Sequence, residues 1–175
     1  RLFVELLPGR WRQKWNFLWE RMRIFASNMF SRRNLFTVSI ANAGQDITRT
    51  RAFREADIIH LHWVNQGMLS LDGIAKILRS GKPVVWTMHD MWQLTAICHY
   101  AHECRRFTAQ CGNCPFLRFP HEGDLSRKVF RKKQEILSGT DIRFVAVSKW
   151  LQGEARQSTL LAGHDIRVVP NVLSL

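Results

Sequence analysis

Apolar positions follow two rhythms along this chain. In residues 10–30 they recur at helical spacing. Trp11, Trp15, Leu18, Met22, Phe25 and Met29 lie four and three apart on one stripe, with Arg12, Lys14, Arg21 and Arg23 off it. Phe17 and Trp19 widen the stripe. The spacing predicts a helix whose aromatic face packs on a core. Its alternative is an amphipathic basic helix lying on an anionic membrane surface. Residues 31–50 are polar and irregular, with a turn expected at 42–46.

From residue 57 the rhythm changes. Asp57-Ile58-Ile59-His60-Leu61-His62-Trp63 reads as a short apolar strand and Asn65-Gln66-Gly67 as a loop. Helical spacing returns through Leu71, Ile74, Ala75, Ile77 and Leu78. Ser80-Gly81-Lys82-Pro83 stops that helix and opens a second strand over 83–88. The unbroken apolar run there predicts a strand covered on both faces, as in parallel sheets. Residues 89–120 are a long loop, 124–138 a basic helix, and Phe144-Val145-Ala146-Val147 a third strand. Ser148 is placed to cap a helix over 149–162 that Gly163 ends, and 166–170 is a fourth strand. The predicted fold is α/β, a Rossmann-like open, mostly parallel sheet with flanking helices. Residues 1–50 supply a helix and connecting segment of the same domain, and 51–175 its Rossmann-like body.

Composition and charge alter the expected partner more than the fold. Hydrophobic residues make up 46% of the chain, which is a globular composition. No apolar run approaches the ~20 residues that span a bilayer. The short apolar patch at the start lacks the long h-region and cleavage site of a signal peptide. A formal net charge of +12 calls for nucleic acid, anionic lipid or a phosphorylated substrate. Residues 1–35 hold eight Arg or Lys against Glu5 and Glu20. Arg127, Lys128, Arg131, Lys132 and Lys133 form a second cluster. Two solvated basic faces would account for both.

In open α/β sheets, ligands bind beyond the carboxyl ends of the strands. His60, His62 and Trp63 end the first predicted strand, His89 and Asp90 the second, Ser148 and Lys149 the third. A histidine at one strand end is often structural; histidines at two neighbouring ends make a candidate site. The cysteines follow the pattern Cys98-x5-Cys104-x6-Cys111-x2-Cys114, confined to the loop at 98–114. Cys111-Gly112-Asn113-Cys114 has zinc-knuckle spacing, and four thiolates close a tetrahedral structural site with no position for a reacting water. Structural zinc is the expectation, with disulfides and free thiols as alternatives and His99 and His102 as spare ligands. No catalytic metal is expected. No phosphate-cradling Gly-rich loop and no Gly-x-Ser-x-Gly elbow follows a strand.

Taken in order, these segments resemble bacterial glycosyltransferases of family 4. The resemblance is carried by the 57–63 strand, Trp86-Thr87-Met88-His89-Asp90-Met91-Trp92, Cys98-His99-Tyr100 and Cys111-Gly112-Asn113-Cys114-Pro115. Val147-Ser148-Lys149-Trp150-Leu151 and Val168-Val169-Pro170-Asn171 continue it. It implies a GT-B fold, in which two Rossmann-like domains face a cleft. It implies that the N-terminal domain binds a sugar or lipid-linked acceptor and the C-terminal domain a nucleotide-sugar, with retention of configuration. His89 would contact the transferred hexose, while His62, Trp63, Asp90 and Ser148 line the same cleft. Asn171 would stand where the chain crosses to the second domain.

Three departures accompany the resemblance. The family's first strand and its Gly-rich loop are missing, the donor domain is missing, and the hinge reads Pro170-Asn171-Val172-Leu173-Ser174. The expectation is therefore an N-terminal half, inactive alone, working in polysaccharide or glycolipid assembly. It would be cytoplasmic and peripheral on the inner membrane face through its aromatic, basic helix. The competing readings are a basic zinc-containing nucleic-acid-binding module and a non-catalytic scaffold derived from the family. Nucleic acid is disfavoured because the aromatics follow core spacing rather than that of an exposed stacking platform.

Overall fold

A row of four side chains, Leu61, Trp86, Phe144 and Ile166, crosses the centre of the protein. Each is the register partner of the next on adjacent parallel strands, and all four are buried. The computed structural model describes residues 9–172. The strands are β1 (Ile59–Leu61), β2 (Val84–Met88), β3 (Arg143–Ala146) and β4 (Ile166–Val168), in the order β1-β2-β3-β4. Helices α1 (Arg10–Ser27) and α2 (Arg51–Glu55) precede them. Helices α3 (Leu71–Leu78), α4 (Leu125–Leu137) and α5 (Lys149–Gln157) form the successive crossovers. The strand order steps in one direction, so right-handed crossovers put these three helices on one face; α3 and α4 pack together. The apolar patch of residues 1–8 and the hinge positions Leu173 and Ser174 lie outside the described residues.

Capping explains where the crossover helices begin. Ser70, Asp124 and Ser148 each stand just before α3, α4 and α5, with side chains accepting backbone N–H groups of the first turn. α5 is shorter than its apolar spacing predicts. It ends at Gln157 because Ser158 turns extended and its buried hydroxyl donates to Leu94 O at 2.6 Å. Helix α2 follows the stretch that reads as irregular; the Thr50 hydroxyl caps it and Phe53 anchors it.

The two faces of the sheet are covered unequally. Ile59, Leu61, Val84, Trp86, Met88, Phe144 and Ala146 are buried on one face. On the other face His60, Arg143 and Arg167 are exposed, Val85 and Val145 half-buried. β2, the strand expected to be covered on both faces, is buried or half-buried throughout, with Thr87 buried on this second face, whereas β1, β3 and β4 expose theirs.

The larger correction concerns α1. Its aromatic stripe faces solvent: Trp11 is 74% and Trp15 67% exposed, and Leu18, Trp19, Met22 and Met29 are also exposed. The buried positions are Glu20, Arg21, Ile24 and, just beyond the helix, Asn28. The physical reason is that α1 rests on backbone as well as on side chains. Residues 35–41 join no strand ladder beyond the Val38–Cys98 bridge, so their polar groups need partners. Glu20 Oε1 accepts Ile40 N–H and Ala41 N–H, both at 2.7 Å. Arg21 donates to Leu35 O and, at 3.0 Å, to Val38 O, and pairs with Glu20 Oε2 at 3.0 Å. Gly44 keeps the following turn tight on α3: a Cβ there would stand 2.2 Å from Ser70 N.

Removing one member of a buried ion pair strands the other, at about 3–5 kcal/mol. Glu20→Ala should therefore lower the unfolding free energy by roughly 3 kcal/mol or more in urea titration. A midpoint within error of the parent would show that this clip does not hold the helix.

Candidate active site

β1, β2 and β3 run parallel and end at the same edge of the sheet, where the next residues bring their polar groups together. His62 Nδ1 lies 3.0 Å from His89 Nε2, with ring centroids 5.3 Å apart. His60 lies 4.3 Å from His62 by centroid with the rings tilted at 39°, and its Nε2 meets Thr87 Oγ1 at 2.8 Å. Within the His62–His89 contact one nitrogen donates and the other accepts, which two imidazolium rings cannot do. His62 accordingly has its pKa lowered from 6.5, by desolvation first and then by the like charges of His60 and His89.

Asp90 is the fixed anion of the site. Its Oδ1 accepts Trp92 N–H at 2.8 Å, and its Oδ2 meets His99 Nδ1 at 2.7 Å and Trp63 Nε1 at 3.3 Å. Burial acts to raise its pKa, yet the hydrogen bonds from His99 and Trp92 outweigh burial and hold it below 3.8. The other His99 nitrogen, Nε2, meets Ser39 Oγ at 3.0 Å. Asp90 thus orients its neighbours, with little lone-pair capacity left for a ligand. His99 belongs to the site as its orienter, with neither nitrogen available to a metal. Ser39 carries no sequence signal, because it sits in the irregular 31–50 stretch.

Trp63 is 39% exposed and offers an indole face beside these polar groups. Ser148 also stands at the carboxyl side of the sheet, where its oxygen accepts Leu151 N–H at 3.1 Å as the α5 cap. Behind it Tyr100 and Trp150, both exposed, stack at 5.8 Å. That second aromatic platform was legible only as two separate motif positions. Asn171 is exposed beyond β4.

Sizeable hollows lie away from the His62–His89 pair. One of about 350 Å³ is lined by Pro83, Val84, Thr140 and Arg143 at the amino ends of the strands. The histidine edge is an open surface instead. Its polar convergence and its place at the carboxyl ends make it the candidate site.

Cys98, Cys104, Cys111 and Cys114 come together around one cavity of about 20 Å³. All four are free thiols, and Cys104 is the least buried. Burial pushes the Cys111 and Cys114 thiols up to about 12. Among the described residues no three His, Cys, Asp or Glu side chains are already drawn to ligand distance about one point.

The open parallel sheet with its flanking helices defines a Rossmann-like α/β domain. The chain belongs to Glycosyltransferase Family 4, whose model matches residues 4–175. It is similar to WcaC of Escherichia coli (strain K12), named as a colanic acid biosynthesis glycosyl transferase. The two are 30% identical over 63 residues, 34% of this chain and 15% of the relative's length. No solved structure matches it.

The histidine cluster has a pH signature. His62 titrates lower in the folded protein than in the unfolded chain, so the folded state binds fewer protons between the two values. Its contribution is undiminished above pH ~6.5 and is lost as pH falls toward the folded value. NMR titration should give His62 a midpoint below 6.5. His89→Gln removes one like charge and should move it upward. A parent midpoint at or above 6.5 would contradict the arrangement.

Proposed function

We propose that this chain is the acceptor-side domain of a retaining glycosyltransferase that moves a hexose from a nucleotide-sugar to a polysaccharide or glycolipid acceptor. The observation that carries this reading is the His62–His89 pair beside the anchored Asp90 and the exposed Trp63. A sugar presents hydroxyl groups at its rim and C–H groups on its faces. The histidines can donate to or accept from the hydroxyls, and the indole can cover an apolar face. On this reading His89 contacts the transferred hexose, Asp90 fixes Trp63 and His99, and Ser148 adds a hydroxyl at the margin. An open surface suits one wall of a cleft. The family resemblance assigns the opposite wall, and the nucleotide-sugar, to a separate donor domain.

The exposed face of α1 supports a membrane contact in the same reading. Trp11, Trp15, Leu18, Trp19 and Met22 lie open on the helix, with Met29 and Phe30 beyond it. Arg12, Lys14, Arg23, Arg32 and Arg33 are exposed around them. Because the aromatics face solvent, core spacing no longer argues against nucleic acid. Lipid is favoured because Leu18, Met22 and Met29 suit acyl chains and offer no π-face to a base. No helix among the described residues is long and apolar enough to cross a membrane, so the contact would be a surface one. Each basic residue adds about 1 kcal/mol at an anionic surface.

Two measurements test this reading. In the protein joined to its native continuation, His89→Ala should reduce hexose transfer to a lipid extract by about 100-fold without changing the thermal midpoint. Transfer at the parent rate would overturn the role of His89. The chain should also co-sediment with phosphatidylglycerol vesicles, be released by salt, and bind at least about ten-fold more weakly as Trp15→Glu/Trp19→Glu. Equal binding to phosphatidylcholine vesicles, or binding to random DNA alone, would overturn the membrane contact.

A further inference from the structure

We propose that Cys98, Cys104, Cys111 and Cys114 bind a single zinc ion as four thiolates, and that this ion fixes the loop holding His99 against Asp90. The four side chains come from separated positions of a segment whose regular structure is one short 3-10 turn, Arg106–Thr108. They nevertheless line the same cavity. At about 20 Å³ it has room for one small ion.

Backbone hydrogen bonds run to the sulfurs, from Ala96 to Cys111 and from Phe116 to Cys114, and partly oppose the burial that favours the thiol form of both. The second of these spans two residues, as in a zinc knuckle, and Asn113 makes the turn at φ 47°. Gly112 packs closely here: a Cβ would stand 2.9 Å from Arg127 Nη2 and 3.0 Å from Glu122 O. A zinc ion with four thiolates carries two net negative charges, and cations are in place to balance them. Arg106 lines the cavity. Lys133, buried in α4, reaches the same loop and donates to Trp92 O at 2.6 Å and Thr95 O at 3.0 Å. Binding the ion releases the four thiol protons to solvent.

The spare imidazoles do not compete. His99 has both nitrogens engaged, by Asp90 and Ser39. The exposed His102 ring packs edge-on against Tyr100 at 4.8 Å. The link to the candidate site is covalent and short: Cys98 is the residue before His99, and Met91 N–H donates to His99 O at 2.9 Å. Thiolates closing on the cavity therefore hold the His99 backbone in register with the end of β2.

The test uses tag-free protein purified without chelators. Elemental analysis should give about one zinc per chain, and X-ray absorption four sulfur neighbours at about 2.3 Å. Metal-free folded protein, iron, a nitrogen ligand, or a mass deficit from disulfides would each overturn the assignment. Cys111→Ser/Cys114→Ser is expected to unfold the loop, so the less buried Cys104→Ser provides the second variant. It should stay folded with zinc content falling toward zero, whereas full zinc retention would overturn the four-thiolate site. Stripping the metal should raise hydrogen exchange across 91–124 while β1–β4 stay protected. Unchanged exchange there would overturn the positioning role. None of these readouts depends on sugar transfer, so they fail or succeed apart from the enzymatic reading.

Discussion

The Asp90 carboxylate receives donors from three directions: the Trp92 backbone, the His99 ring and the Trp63 indole. Those donors come from the turn after β2, the cysteine loop and the end of β1. His99 passes the constraint to the Ser39 hydroxyl, and Ser39 O accepts the Trp92 indole N–H at 2.8 Å. The neighbouring N–H groups of Ile40 and Ala41 belong to Glu20. One continuous polar network thus runs from α1 to the edge of the sheet. Because buried polar groups are costly when unpaired, its members must form together. This explains how an anion can sit at the centre of the site without neutralising.

Much of this was legible in the sequence, and the reasons differ by element. β2 and β3 are continuous apolar runs between clear punctuation, so their existence and order followed directly. Ser70, Asp124 and Ser148 cap α3, α4 and α5 through local bonds that sequence spacing encodes. His62 and His89 were legible as strand-end residues, but their 3.0 Å contact depends on β1 and β2 being neighbours. Ser39 and the role of His99 were not legible. Each depends on contacts between segments about sixty residues apart, for which periodicity carries no information.

α1 shows how periodicity can be read correctly and assigned to the wrong side. The aromatic stripe is real, but periodicity cannot say which medium it faces. The helix presents Glu20 and Arg21 inward because residues 35–41 offer backbone donors and acceptors that apolar side chains would leave unpaired. Once that face is committed to the loop, the tryptophans are left outside. The exposed patch and the buried ion pair are two consequences of one packing choice.

The same reasoning applies at Lys133, the least expected residue of α4. It stands in a basic run that reads as a solvated face, yet it is buried. Its ammonium donates to Trp92 O at 2.6 Å and Thr95 O at 3.0 Å and lies 3.3 Å from the Trp92 ring centroid. Burial lowers its pKa to about 7, against the raising influence of Cys111, Cys98 and Asp90. The long loop brings carbonyl groups into the core that no strand or helix satisfies, and a charged donor from the nearest helix serves both of them. Trp92 then couples the two ends: its carbonyl holds Lys133, and its N–H holds Asp90. The loop therefore gains its order from charged side chains placed beneath it, and the site edge gains its geometry from the loop.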